Sequence, residues 1–279
     1  MRRLFTVFLF VLTSLVGCQS DQDLTVVGFN VESGDADPEF IANRYIKPIN
    51  QAELWGFSEV KDQTWVDQFV LAARNQPSGL SRFMPAQPMS FRSIFGSTGN
   101  SDRLAILYDS TQLEQLESYE LETINIGGRV RAPLVAQFRF KPTGTEFLFV
   151  VNHLYRTDAA GRHRQAQLLN QWAQQQSLPI VAVGDYNFDW DVVRGENKRD
   201  KGYDLMTQNG VFTWIRPTNL VATYCSKRYS SILDFVFVAG GAKNWPASAE
   251  VLYPEAEYCP DDQRKSDHRP MQATFQIPE

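Results

Sequence analysis

Six short segments place a carboxylate, amide or imidazole beside an apolar run: Phe29-Asn30, Phe57-Ser58-Glu59, Val151-Asn152-His153, Val183-Gly184-Asp185-Tyr186-Asn187, Leu233-Asp234 and Ser266-Asp267-His268. Any one of them reads as a turn residue or a helix cap. Together, in a chain with only three histidines, they read as a site, because strand termini on one edge of a sheet converge on a common crevice. The Ser266-Asp267-His268 tripeptide carries the most information, since adjacent carboxylate and imidazole can hold a metal and move a proton.

Carboxylate oxygens suit Mg²⁺ or Mn²⁺, hard ions that keep several waters and bind through one or two carboxylates plus a phosphate. The histidines are too few for a three-histidine zinc site and no Cys-x-x-Cys occurs. The chain has neither a Gly-x-x-x-x-Gly-Lys-Ser/Thr loop nor a Gly-x-Ser-x-Gly elbow, which removes support for nucleoside-triphosphatase and serine-hydrolase chemistry. A metal that polarises a phosphoryl oxygen, with histidine and aspartate to activate water, would give phosphoester hydrolysis.

Short β-rich runs must position these groups. Strands are expected over 24–29, 54–57, 103–108, 134–140, 147–151, 179–183, 232–238 and 271–277. Pro38 after Asp37, followed by apolar residues at helical spacing, marks a helix start. Trp65, Phe69, Val70 and Ala73 mark a second helix and residues 165–176 an amphipathic third. Gly127-Gly128 suggests a hairpin turn, and the Pro-, Ser- and Gly-rich stretch 77–101 a long loop. Many strands and few helices exclude a helical bundle, and the irregular alternation excludes an eightfold βα barrel. Two packed sheets covered by helices, in one domain, is the expected α/β architecture.

The N-terminus reads as an export signal. Arg2 and Arg3 precede an apolar run from Leu4 to Val16, too short to span a bilayer as an ordinary helix. Leu15-Val16-Gly17-Cys18 resembles the bacterial lipobox, with a plain secretion signal and an incidental cysteine as the alternative. The expected organisation is a signal peptide at 1–17, a tether at 18–23 lipidated on Cys18, and a catalytic domain at 24–279. Gln19 in place of aspartate favours the outer membrane by resemblance to sorted lipoproteins. Loss of residues 1–17 removes two arginines, so the mature charge is 25 − 32 = −7. No broad basic field is left to draw in nucleic acid by counterion release alone, so a polyanion must meet a local basic patch or a bound metal. In an exported chain Cys225 and Cys259 are expected to pair, two free thiols being the alternative.

The ordered set Asn30, Glu59, Asn152-His153, Gly184-Asp185-Tyr186-Asn187, Asp234 and Ser266-Asp267-His268 resembles the endonuclease/exonuclease/phosphatase superfamily, the deoxyribonuclease-I-like hydrolases, from about residue 24 to 277. The resemblance implies a four-layer α/β/β/α sandwich of two mixed sheets flanked by helices. It implies Glu59 as principal metal carboxylate with Asn30 and Asp267 close by. Asp185 and Asn187 would orient water and contact phosphate. His268 would be general base or phosphate-polarising imidazole, oriented by Asp234. His153 would contact phosphate from the other side, steadied by Asp102, and Glu32 is a second candidate ligand. Arg156, Arg162 and Arg164, together with Lys227 and Arg228, are candidates for further phosphate contacts, against a reading as solvated loop charges. Tyr155 and Tyr229 are candidates for base stacking, against ordinary packing. His163 is expected to be a solvated surface residue.

The reading is therefore a lipid-anchored, monomeric, Mg²⁺-dependent phosphodiesterase of the cell envelope, most simply a nuclease. A phosphatase or phospholipase-type enzyme for inositol phosphates or lipid head groups is the alternative. A catalytically silent surface binder is disfavoured because Glu59 and His268 are both present.

Overall fold

Alternating apolar residues build the first sheet and divide its two faces. The computed structural model describes residues 22–279 apart from 33, 50, 75–89, 129 and 260–261. The proposed signal peptide and Cys18 lie outside the described residues, as does most of the expected 77–101 loop. In β1 (Asp23–Asn30), Leu24 and Val26 face one core while Val27 and Phe29 face another. In β2 (Leu54–Val60), Leu54 and Trp55 divide in the same way. Both faces are thus apolar, so the strand reads as a near-continuous hydrophobic run.

α1 (Pro38–Ile41) begins where Asp37 accepts from the Glu39 and Phe40 amides, and it continues as a π-turn over Ala42–Ile46. α2 (Gln63–Arg74) packs beside it on the outer face of the first sheet, where Phe57 meets Phe69 with ring centroids 5.0 Å apart. The strands β3 (Phe91–Phe95) and β4 (Arg103–Asp109) extend the sheet on one side.

The second sheet contains β5 (Leu113–Glu120), β6 (Leu134–Phe140), β7 (Thr145–His153), β8 (Ile180–Asp191), β9 (Phe212–Trp214) and β10 (Ser231–Ala239). α3 (Ala159–Ala173) and α4 (Lys201–Thr207) pack on its outer side. The chain returns to the first sheet with β11 (Ala247–Val251) and β12 (Met271–Gln276). Strand order is β11-β12-β1-β2-β4-β3 in one sheet and β5-β6-β7-β8-β10-β9 in the other. The pairs β1–β2 and β7–β8 are parallel and the remaining neighbours antiparallel, so both sheets are mixed. The architecture is the four-layer α/β/β/α sandwich. Among the described residues no helix is long and apolar enough to cross a membrane.

Gly56 lets the sheets meet closely, since a Cβ there would stand 2.5 Å from Val183 Cγ2 and 2.7 Å from Val151 Cγ2. Several expectations are corrected. Residues 91–95, expected in a loop, pair with β4 because each finds a register partner there. Gly127-Gly128 does not form a tight hairpin turn; both glycines have positive φ inside the long link between β5 and β6, which contains two 3₁₀ turns. α3 starts six residues before the expected 165, capped by Asp158 accepting from the Gly161 amide. Residues 188–203 contain the end of β8 and the start of α4, whose N-cap is Asp200.

Candidate active site

Parallel pairing brings the ends of β1 and β2, and of β7 and β8, to one edge of the sandwich. Asn30 closes β1. Its Nδ2 donates to Glu59 Oε1 and to Asp185 Oδ2, each at 3.1 Å, and so joins the two sheets. Glu59 sits where the β2–β4 register shifts, with φ of 60°. Glu32, Asn187 and Asp189 likewise have positive φ, at 45°, 53° and 45°. Such backbone is costly for residues with a Cβ and gathers at functional sites. Gly184, with φ of 134°, is obligatory, because a Cβ there would lie 2.0 Å from the Asn152 carbonyl oxygen. The tight crossing sets His153 opposite Asp185 in the β7–β8 register.

Asp185 is the centre. His153 Nε2 lies 3.6 Å from its Oδ2 and 3.7 Å from Glu59 Oε1, while His268 Nε2 lies 3.9 Å from the same Oδ2. The Asn187 amide holds Asp185 Oδ1 at 3.0 Å, and Asn187 Nδ2 donates to the Leu154 carbonyl at 3.2 Å. Asp234, opposite Asp185 on β10 beside a bulge, accepts from His268 Nδ1 at 2.8 Å. Ser266 Oγ donates to the Asn30 carbonyl at 2.6 Å and accepts from the His268 amide at 2.9 Å, which fixes the first sheet's contribution. Asp267 donates its amide to Glu32 Oε2 at 2.8 Å, and its Oδ1 stands 3.7 Å from His268 Nε2.

The electrostatics follow from this crowding. Burial opposes a charge on His268, yet Asp234, with Asp185 and Asp267 behind it, raises its pKa well above the ordinary 6.5. Burial depresses His153 well below that value, reinforced by Arg131, His268 and Arg156. Burial and the neighbouring Asp234 and Glu59 raise Asp185, with His268 opposing. Burial and Asp267 push Glu32 up to about 7.

Sequence-predicted residues divide clearly. Asn30, Glu59, His153, Asp185, Asn187, Asp234, Asp267 and His268 come together. Asn152 does not: its Nδ2 donates to Tyr186 Oη at 3.0 Å, away from the centre. Asp102 does not steady His153; its carboxylate is taken by Arg131, whose Nε donates to it at 2.5 Å, and His153 Nδ1 is buried without a partner. Arg162 is buried and spent on the Tyr155 and Arg156 carbonyls and on Asp200, which removes it as a phosphate contact. His163 is half-buried at the surface rather than free in solvent, and its Nε2 lies 3.1 Å from both Asp200 oxygens. Arg164 is exposed on α3. Tyr155 is a packing residue, its hydroxyl donating to the Ile126 carbonyl at 2.9 Å. Lys227, Arg228 and Tyr229 lie exposed on the loop after Cys225. Cys225 and Cys259 form a disulfide with Cα atoms 5.1 Å apart. Closing a loop of sequence separation 34 stabilises the fold by about 3–4 kcal/mol in the chain-entropy description.

Two residues went unread in the sequence: Arg131, close enough to act on His153, and Tyr224, whose ring centroid is 5.4 Å from that of His268. Neither lies beside an apolar run ending in a polar group, so the pattern that found the others passes over them.

The model of the endonuclease/exonuclease/phosphatase family matches residues 27–268, a span that opens in β1 and closes on His268. The chain belongs to that family. Its members are phosphoesterase hydrolases, generally dependent on a divalent metal. No curated protein matches the chain at the sequence level. Among solved structures, a humanized D. rerio TDP2 carrying 14 mutations matches with 16% identity and a TM-score of 0.67, covering 91% of this chain and 99% of that one. D. rerio TDP2 complexed with a single-strand DNA product gives 16%, 0.66, 91% and 98%. A mannosyl-6-phosphatase from Bacteroides thetaiotaomicron gives 18%, 0.62, 90% and 99%. At such identities the likeness carries the fold.

The donor set fits a hard divalent cation. Glu32, Glu59, Asp185 and Asp267 crowd one edge, where burial and then repulsion from neighbouring carboxylates raise Glu32 and Asp185. Among the described residues no three carboxylate, imidazole or thiolate groups enclose an ion by themselves. Carboxylate oxygens of this kind suit an ion held by one or two carboxylates, waters and the substrate's phosphate.

Proposed function

We propose that this phosphoesterase is an exported, lipid-anchored, Mg²⁺-dependent phosphodiesterase that hydrolyses nucleic acid. The observation that carries the reading is the Asp234–His268 pair standing across Asp185 from Asn30 and Glu59. Glu59 would hold the ion, with Asn30 and Asp267 beside it. When bound, Mg²⁺ supplies polarisation of a phosphoryl oxygen and offsets charge developing on phosphate.

The chain's own groups account for the rest. His268, kept protonated by Asp234, donates to a phosphoryl oxygen as negative charge builds there. Asp185, with its raised pKa, accepts the proton of the attacking water, and Asn187 holds it in register through the amide hydrogen bond. Neutral His153 contacts the phosphate from the opposite side. Arg156 would add a phosphate contact beside His268, and Lys227 and Arg228 on the neighbouring loop would meet flanking phosphates. The DNA product in the TDP2 complex is in keeping with this substrate.

Arg2, Arg3, the 4–16 apolar run and Cys18 support export and lipidation at the cell envelope, with a signal peptide at 1–17, a tether at 18–23 and a monomeric catalytic domain from 24. The Cys225–Cys259 disulfide suits an oxidising compartment.

One observation favours the phosphatase or lipid-head-group alternative. A cleft of 320 Å³ opens beside Asp267, and Glu32, Asp35 and Asp262 also line it. Its acidic wall suits a hydroxylated or cationic leaving group better than a continuing polyanion, and the mannosyl-6-phosphatase neighbour fits that picture.

The deciding experiment is nicking of supercoiled plasmid by protein lacking residues 1–19, with Mg²⁺ or chelator, beside His268→Ala. Metal-dependent nicking that disappears in the variant is expected. Folded protein that leaves plasmid intact but hydrolyses phosphocholine or sugar-phosphate esters would shift the assignment to the alternative.

A further inference from the structure

Arg156 follows His153 by three positions and leaves β7 for the exposed rim of the site. A long cation at a rim is flexible, and ordering it costs side-chain entropy. Something must hold it if it is to meet a phosphate at a fixed place. Among the described residues the hydrogen-bond acceptor of its guanidinium is Tyr224 Oη, at 3.1 Å from Nη2, and the guanidinium carbon lies 5.5 Å from the Tyr224 ring centroid. The same ring is tilted 50° against the His268 imidazole at 5.4 Å.

Tyr224 is itself held firmly. It bridges to His268 in an isolated antiparallel pair. Before it, Thr223 Oγ1 accepts the Leu233 and Asp234 amides at 2.9 and 3.2 Å, and the Thr223 carbonyl accepts the Arg269 amide at 2.7 Å. After it, the Cys225 amide donates to the Asp267 carbonyl at 2.7 Å, and the disulfide ties Cys225 to the segment leading into Ser266. The ring therefore moves with the backbone that carries Asp234, Asp267 and His268, while its hydroxyl reaches across to the β7 side. Arg156 feels the charges of Asp267 and Asp185 from there.

We propose that Tyr224 is a positioning residue that fixes the Arg156 guanidinium against His268, so that one phosphate group meets the guanidinium and the imidazole at a set separation. The proposal rests on the phosphoesterase reading of the site. Tyr224 acts through Arg156 and touches no reacting atom. The substrate class it serves is any ester presenting a phosphate with at least two unesterified oxygens. The disulfide then has a task besides stability, since it pins the platform on which Tyr224 stands.

The test is a double-mutant cycle on the full chain in detergent micelles, using Tyr224→Phe, Arg156→Met and the double variant. Each protein is assayed with Mg²⁺ on bis(p-nitrophenyl) phosphate and titrated calorimetrically with inorganic phosphate. Phenylalanine keeps the ring against His268 and loses only the acceptor for Arg156. Losing a hydrogen bond to a charged group predicts a KM and a phosphate Kd about tenfold higher in Tyr224→Phe, with kcat within about twofold of the parent. In the Arg156→Met background the same change should add almost nothing, because residues acting as a unit are non-additive. Unchanged KM and Kd in Tyr224→Phe, or fully additive effects, would overturn the assignment. A parent protein that binds phosphate and shows the non-additive cycle but hydrolyses no ester would sink the phosphoesterase reading while leaving Tyr224 in place.

Discussion

His153 and His268 flank the same Asp185 oxygen at 3.6 and 3.9 Å and are almost equally buried, with 5% and 4% of their surface exposed. One is driven neutral and the other is held charged. Burial disfavours the imidazolium at both positions, so the difference lies in the partners. His268 Nδ1 meets Asp234 at 2.8 Å, whereas His153 Nδ1 is buried without a partner and faces the charges of Arg131 and Arg156. The carboxylate that could have balanced it, Asp102, is bound to Arg131 instead. A histidine's charge is thus set by its second neighbour, and the two sides of this site differ in charge, His268 being favoured as the imidazolium and His153 as the neutral imidazole.

The comparison breaks most completely at the residue both histidines share. Asp185→Asn should lower kcat by roughly 10³-fold or more, the scale of losing a positioned base together with local charge stabilisation. Steady-state hydrolysis with the circular-dichroism spectrum unchanged would check it, and near-normal turnover would remove Asp185 from its role.

Asp234→Asn should act on the His268 side alone, with a loss of roughly 10²-fold in turnover. Removing the first charge that raises His268 lowers its pKa, while His153, depressed first by burial, shifts less, a contrast that imidazole NMR titration resolves. The stability consequence has a definite sign. A histidine whose folded pKa exceeds its unfolded value of about 6.5 stabilises fully below that pH and loses the contribution as pH rises through the folded value. The variant's deficit in denaturant midpoint should therefore be largest in mild acid and shrink in alkali.

The smallest effect concerns the carboxylates between the histidines. Glu32 and Asp185 have folded pKa values raised above the ordinary carboxylate range, so the folded state binds more protons than the unfolded one across that interval. Chelator-treated protein should lose stability as pH rises from about 4 to 7. Added Mg²⁺ should raise the melting temperature more at pH 8 than at pH 6. A shift that is the same at both values would mean that these carboxylates do not face the ion.

The expected strands that the structure contains are interior ones, whereas β3, β5, β9 and β11 were not foreseen. Those are the four sheet edges. An interior strand such as β10 is buried at every residue and reads from Ile232 as an apolar run broken only by Asp234. An edge strand such as β5 exposes Glu114, Gln115, Leu116, Glu117 and Ser118 in succession, and nothing in its composition separates it from a loop. Charged edges of this kind also discourage pairing with other chains. The same logic explains α4, whose seven residues are too few to show a helical period.

Sequence by itself determined the residue types of the site and their order, because a polar group beside an apolar run leaves a visible signature: Asn30, Glu59, His153, Asp185 and Asp234 adjoin such runs, and Asp267-His268 shortly precedes one. It also determined the interior strands, the Asp37–Pro38 cap and the two cysteines able to pair. Tertiary structure decided which polar neighbours act on which. It turned Asn152 away to Tyr186 and gave Asp102 to Arg131. It buried Arg162 against Asp200 and set Tyr224 between Arg156 and His268. Those choices depend on distances of a few ångströms between segments far apart in the chain, and local periodicity carries no information about such distances.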